Sequence, residues 1–169
     1  MKEQAIGCVT PLYIACSIGF KDVVDILLVK GADVNICNKN HESSLFTAAE
    51  KGHSEIVKLL LERNVNPNIC NEDNESPLFI ASLNGHVKVV EYLLQYNANC
   101  IIANRFNETA LSIAVQRART MLNVFSLNID RNALILSKHY DFKPWRKWTN
   151  IVKLLLNSNA DIFSSSLVY

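Results

Sequence analysis

Cys37 and Cys70 stand 33 residues apart, and His41 follows Cys37 by four. Thiolate and imidazole are zinc ligands, so metal binding is the first chemistry these residues raise. No paired motif with zinc-finger spacing accompanies them. A second group is cationic and aromatic: Lys143, Trp145, Arg146, Lys147 and Trp148 crowd into six residues. Cations interleaved with indoles can hold an acidic peptide, a phosphate or RNA. Against that, tryptophan is usually largely buried, and packing of both indoles onto the body of the protein is the favoured reading. The sequence contains no phosphate-cradling glycine loop, nucleophile elbow or paired catalytic motif. No constellation supports an enzyme, and no cofactor is expected.

A repeat sets the elements that must carry these groups. Thr10, Ser43, Ser76 and Thr109 are spaced by 33, as are Leu12, Leu45, Leu78 and Leu111, and Ala15, Ala48, Ala81 and Ala114. Gly19, Gly52 and Gly85 keep the same register. A fixed period of this size means stacked supersecondary units rather than one globular core. Neighbouring units then lie ~10 Å apart, the spacing of packed helices. Cys37 and Cys70 hold the same position in adjacent units, too far apart for a compact site, so no metal is expected. His53 and His86 recur in phase behind a glycine and read as structural positions; His139 is alone.

Within the unit spanning residues 38–70, Ser43 precedes an apolar-periodic stretch of Leu45, Phe46, Ala48 and Ala49. A hydroxyl there can accept a hydrogen bond from an orphan N–H of the first helical turn. Pro11 and Pro77 follow the capping residue in two other units, where a missing N–H costs nothing. Gly52 ends this short helix. A second helix follows, with Ile56, Val57, Leu59, Leu60 and Leu61 facing inward and Glu55, Lys58, Glu62 and Arg63 outward. Asn64 stops it; its counterparts Gly31, Asn97 and Asn159 also tolerate a left-handed cap. The polar, Asn-rich segment between helix pairs reads as a turn or hairpin.

Helix, turn, helix and a projecting hairpin every 33 residues resemble the ankyrin repeat. The family signature shows in Thr10-Pro11-Leu12-Tyr13-Ile14-Ala15, in Leu27-Leu28, and in Gly31-Ala32-Asp33-Val34-Asn35. Gly52-His53 and Ile56 to Leu61 carry it in the second unit. Ser76-Pro77-Leu78-Phe79-Ile80-Ala81, Gly85-His86 and Leu93-Leu94 carry it in the third. The resemblance covers roughly residues 5–118 and 150–163. It implies an all-α solenoid with projecting hairpin loops, one domain over 1–169, with repeats at about 5–37, 38–70, 71–103 and 104–165. Two positions depart from the pattern. Tyr13, Phe46, Phe79 and Ser112 replace the motif histidine, so aromatic packing is expected to substitute in three units. Cys8, His41, Asn74 and Asn107 replace the turn glycine; Asn accepts positive φ readily, whereas Cys8 and His41 suggest looser turns.

The fourth unit is split. It opens normally, but Ala118 replaces the glycine and the second-helix pattern resumes only at Ile151-Val152-Lys153-Leu154-Leu155-Leu156. The insertion is about 29 residues, mostly within 119–149. Loss of the glycine lets the first helix run on through Met121, Leu122, Val124 and Phe125. Asp130 can cap another short helix, and Pro144 suits the first turn of an extended second helix. A protruding helical excursion is expected. Residues 117–153 hold eight cations against Asp130 and Asp141, leaving the rest of the chain at −5 beneath a net charge of +1.

That small net charge argues against nucleic acid as the default partner. No apolar run approaches a membrane span and the N-terminus lacks a signal-peptide core, so no membrane is expected. Five cysteines, an odd count, read as free thiols in a reducing compartment, cytoplasmic or nuclear. The expected function is non-catalytic recognition of another protein. The resemblance maps contact positions onto the hairpin tips and first-helix faces. These are Lys39, Asn40, Glu42, Glu50 and Lys51; Glu72, Asp73, Glu75, Leu83 and Asn84; and Arg105, Phe106, Glu108, Gln116 and Arg117. Phe106, an aromatic at a polar tip, suits a binding anchor, unless it folds back under the insertion. The alternative is a regulatory adaptor, inhibitor or effector that engages its partner through the basic 119–149 insertion, or binds an anionic ligand or nucleic acid there. The resemblance also marks Asn35, in Leu27-x5-Asp33-Val34-Asn35, as a candidate for asparaginyl hydroxylation. Apolar residues near the ends, Val9, Ile18 and Phe20 among them, leave three readings: the apolar tails and the insertion serve as caps, the chain is cut from a longer array, which is favoured on the N-terminal side, or it pairs with another molecule.

Overall fold

The computed structural model describes residues 9–127 and 146–165. Eight helices lie among them. In chain order these are α1 (Pro11–Ile18), α2 (Lys21–Val29), α3 (Ser44–Lys51), α4 (Ser54–Glu62), α5 (Pro77–Asn84), α6 (Val87–Gln95), α7 (Ala110–Leu127) and α8 (Arg146–Ser165). The only strand-like pairing among the described residues is an isolated antiparallel bridge between Ala103 and Thr109. None of the described helices is long and apolar enough to cross a membrane.

Capping chemistry cuts the chain into these pieces. The hydroxyls of Thr10, Ser43 and Ser76 accept the N–H groups of Tyr13, Phe46 and Phe79, each at 3.1 Å. They satisfy donors that a helix start leaves orphaned. Gly19, Gly52 and Gly85 end the first helices at φ of 93°, 77° and 76°, a left-handed conformation that lets the chain reverse into the second helix. Gly31, Asn64 and Asn97 take the left-handed region after the second helices. Asn159 does not; α8 continues through it to Ser165, so the expected stop is absent from the fourth unit. His41 also differs from expectation. Its φ of 60° matches Asn74 at 59° and Asn107 at 61°, so the second unit keeps the same turn rather than a looser one.

First helices stack in the row α1–α3–α5–α7 and second helices in the row α2–α4–α6–α8, with each pair closed on itself. The core runs between the rows. Leu12, Leu45 and Leu78 fill it from one side, and Val57, Leu60, Leu93, Ile151 and Leu155 from the other. Small Ala15, Ala48, Ala81 and Ala114 let the first helices approach. Phe46 and Phe79 are buried in place of the motif histidine, while Tyr13 is half-buried. Ser112 restores a polar link instead. Its Oγ accepts the Thr109 N–H at 2.8 Å, and its own N–H reaches Thr109 Oγ1 at 3.3 Å. α7 runs on past Ala118 to Leu127, as the missing glycine predicts. The rest of the insertion, with the helix expected near Asp130 and the first-turn Pro144, falls in 128–145, outside the described residues, as does Cys8.

Candidate interaction surface

Between helix pairs the chain projects as fingers, each locked by an Asn–Glu clasp. Asn38 Oδ1 accepts the N–H groups of Asn40 and Glu42 at 2.9 and 3.0 Å, and its Nδ2 donates to Glu42 Oε2 at 2.7 Å. Asn71 does the same for Asp73 and Glu75, and Asn104 for Phe106 and Glu108. The carboxylates of Glu42, Glu75 and Glu108 are therefore half-buried and turned inward on their own fingers. Glu42 also accepts the Tyr13 hydroxyl at 2.8 Å, tying the first unit to the second finger. Burial, then this carboxylate, raises the Tyr13 pKa.

Adjacent fingers are joined through backbone. The Glu72 N–H donates to Asn40 O at 3.1 Å, and the Arg105 N–H to Asp73 O at 3.0 Å. The Arg105 guanidinium pairs with Asp73 at 2.6 Å and lies 4.9 Å from the centroid of the Phe106 ring. Phe106 itself is 67% exposed. Lys39, Asn40 and Glu72 are exposed on the two preceding fingers. Fixed fingers thus present an aromatic ring backed by a cation.

On the first helices, Lys51, Gln116 and Arg117 are exposed, whereas Glu50 and Asn84 are half-buried. Glu50 pairs with Lys51 at 3.0 Å. Leu83 packs partly against the core. Asn84 Nδ2 donates to Glu50 O at 3.3 Å, which makes it a joint between units as well as a surface group.

The histidines stitch successive units. His53 Nε2 lies 3.2 Å from Ser17 O, and His86 Nε2 2.9 Å from Glu50 O. A carbonyl only accepts, so Nε2 carries the proton in both. Each ring covers the glycine of the unit before it: a Cβ on Gly19 or Gly52 would come within 2.6 Å of the imidazole. Burial lowers the His86 pKa, against the bond to Glu50 O, which raises it. At the fourth unit Lys147 and Trp148 divide this role. Trp148, 6% exposed, donates Nε1–H to Ser82 O at 3.1 Å. Lys147 covers Gly85, reaches Asn84 O at 3.4 Å and stands 4.1 Å from the Trp148 ring. The indole therefore serves the joint and is withdrawn from the basic–aromatic patch. Arg146 is exposed, while Lys143 and Trp145 lie outside the described residues.

The thiols of Cys37 and Cys70 donate to Asn35 O and Asn68 O at 3.7 and 3.5 Å. Burial raises the pKa of both, and that of Cys16 to about 12. Among the described residues no group of three His, Cys, Asp or Glu side chains is placed to hold a metal. Asn35 is exposed. A family model for ankyrin repeats, in three copies, matches residues 2–69 and 45–133. No curated protein matches the chain.

Proposed function

The chain belongs to the ankyrin-repeat family, whose repeats are in general protein–protein interaction modules, and from that premise we propose that it binds a partner protein, without catalysis, through its finger tips and first-helix faces. Phe106 is the observation that carries the reading. A large aromatic left 67% exposed on a clasped finger has already lost much of the freedom that binding removes, so its burial by a partner is available as affinity. Lys39, Asn40 and Glu72 offer polar groups on the two preceding fingers, and Gln116 and Arg117 extend the surface along α7. The Asn–Glu clasps hold the tips at fixed spacing; Glu42, Glu75 and Glu108 act through shape rather than by direct contact.

The test is affinity capture from a lysate with the whole chain and with Phe106→Ala, followed by titration of the captured protein. Truncation of a central aromatic anchor weakens binding by about 2 kcal/mol or more. Unchanged affinity would remove Phe106 and the finger reading with it. The alternative, an anionic ligand or nucleic acid on the basic segment, rests on Arg117, Arg119, Arg146 and Lys147. It predicts affinity that falls steeply with salt. Asn35, exposed and in the motif that the family resemblance marks, is proposed as a hydroxylation site. Incubation with an asparaginyl hydroxylase should add one oxygen to the peptide that contains it.

A further inference from the structure

The two ends of the stack are unlike its interior in complementary ways. Position 14 of the first unit corresponds to Thr47, Ile80 and Ile113, all buried; Ile14 is 46% exposed. Val23 corresponds to Ile56, Val89 and Ile151, also buried, and is 44% exposed. Ile113 and Ile151 are covered although no unit follows theirs among the described residues, so these positions face the preceding unit. Among the described residues, only the first unit lacks that neighbour. Ile18, Phe20 and Ile26 extend the same uncovered face, with Phe20 standing where His53 and His86 reach back in later units.

The other end shows the reverse. Cys16, Ala49 and Ser82 are buried, yet their counterpart Val115 is 48% exposed. Leu28 and Leu61 are buried and Leu94 half-buried, yet Leu156 is 51% exposed. Cys16 and Leu28 are covered with no unit described before theirs, so these positions face the following unit. Among the described residues, both halves of a unit–unit contact are thus exposed, at opposite ends of the stack.

We infer that the first-unit face of one copy docks on the fourth-unit face of another, so that copies stack head to tail in the register of the repeat. The apolar side chains meet as their counterparts meet inside each copy. Ile14 and Val23 supply one side; Val115 and Leu156 supply the other. Charge is consistent with this register. Asp25, Lys58, Glu91 and Lys153 occupy one position in the four units and alternate in sign, and Asp25 of a second copy continues the series after Lys153. One rim term opposes it. Arg63 pairs with Asp25 across the first joint at 3.7 Å, and its counterpart Lys30 would meet Lys153 at the new one. Both lysines are exposed and screened by salt. Apolar burial, not charge, drives the contact. Such a contact is heterologous and does not close on itself, so the assembly grows open-ended.

Sedimentation velocity over a wide concentration range tests it, with the whole chain and the variants Val23→Glu and Leu156→Glu. The unaltered chain should gain mean mass steadily with concentration. Each variant alone should stay monomeric, because one of the two required faces is spoiled in every copy. An equimolar mixture of the two should form a one-to-one dimer and stop, since each variant keeps the face that the other needs. Both substituted residues are exposed, and circular dichroism checks the fold; Ile26→Glu and Val115→Glu serve the same faces if a first variant misfolds. Phe106→Ala should leave association unchanged, which separates this contact from the finger surface. A monomer at every concentration, self-association by either single variant, or no dimer in the mixture overturns the inference and leaves the first-unit face to another kind of occupant.

Discussion

The joint between the second and third units and the joint between the third and fourth close the same gap with different side chains. At both joints the first helix of the earlier unit ends in a left-handed glycine that exposes carbonyls and leaves a hollow. At the earlier joint one imidazole does both jobs: His86 covers Gly52 and bonds Glu50 O. At the later joint the jobs separate. Lys147 covers Gly85, and Trp148 bonds Ser82 O from a buried position. The first solution is polar and compact, and the second is large and apolar with a cation on its face. An insertion can therefore interrupt the repeat without ending the stack, provided that the returning helix brings a substitute for the histidine.

The largest expected effect follows from that contrast. Trp148→Ala should cost about 3–5 kcal/mol, the range for deleting a buried aromatic. His86→Ala should cost about 0.5–1.5 kcal/mol, the net worth of one hydrogen bond, because Glu50 O keeps the Asn84 amide as a donor. Urea unfolding of both variants measures the difference. Hydrogen exchange should place the loss from Trp148→Ala in α7 and α8, because units of a solenoid depend on their neighbours. Equal losses, or one spread evenly over all four units, would sink the view that the joints are built differently.

Glycine substitutions compare the two hollows directly. Gly52→Ala forces a side chain at φ 77° and sets its Cβ 2.6 Å from the His86 ring, which is fixed by its own hydrogen bond. About 2–3 kcal/mol is expected, at the upper end for a strained non-glycine position. Gly85→Ala meets Lys147 Cε at 2.7 Å, in a flexible and exposed side chain that can swing away. About 1–2 kcal/mol remains, from the backbone alone. Thermal and urea midpoints should fall in that order, and a reversal would mean that Lys147 is held as firmly as the imidazole.

How far the sequence reaches differs at the two joints for the same reason. A period of 33 makes the helices, their caps and the histidine positions legible, because each unit repeats the previous one. The insertion breaks that register. Counting back from Ile151 aligns Trp148 with His86, but nothing in the count says that Lys147 will fill the hollow beside Gly85. The finger glutamates were harder to place. Family positions put Glu42, Glu75 and Glu108 on the contact surface, whereas their carboxylates turn onto Asn38, Asn71 and Asn104. The recurrence of Asn and Glu four residues apart was the available signal. Those bonds also explain His41: the clasp closes the turn and holds φ at 60° whatever side chain occupies it.

A smaller effect sits at the later joint. Ser82 Oγ is buried with no hydrogen-bond partner, where the earlier joint has the methyl of Ala49. Ser82→Ala removes an unsatisfied group and raises helix propensity. It should stabilise the chain by about 1 kcal/mol. The backbone carbonyl that Trp148 uses is untouched, so a loss of stability in urea would show that the hydroxyl contributes to the joint.

The gentlest probe is pH, because only the earlier joint titrates near neutrality. Burial lowers the folded-state pKa of His86 below its ordinary 6.5. Between that value and the lowered one the unfolded chain binds a proton that the folded chain does not, so stability rises with pH across the window. It is fully present above the ordinary value and is lost as pH falls toward the folded one. The later joint holds an indole where the earlier one holds the imidazole, and an indole does not titrate in this range. Stability of the whole chain should therefore decline from neutral pH to mildly acidic pH, and His86→Gln should flatten part of that decline. Trp148→Ala should lower the curve without changing its shape. An unaltered slope in His86→Gln would assign the pH dependence elsewhere and remove the imidazole as the feature that sets the two joints apart.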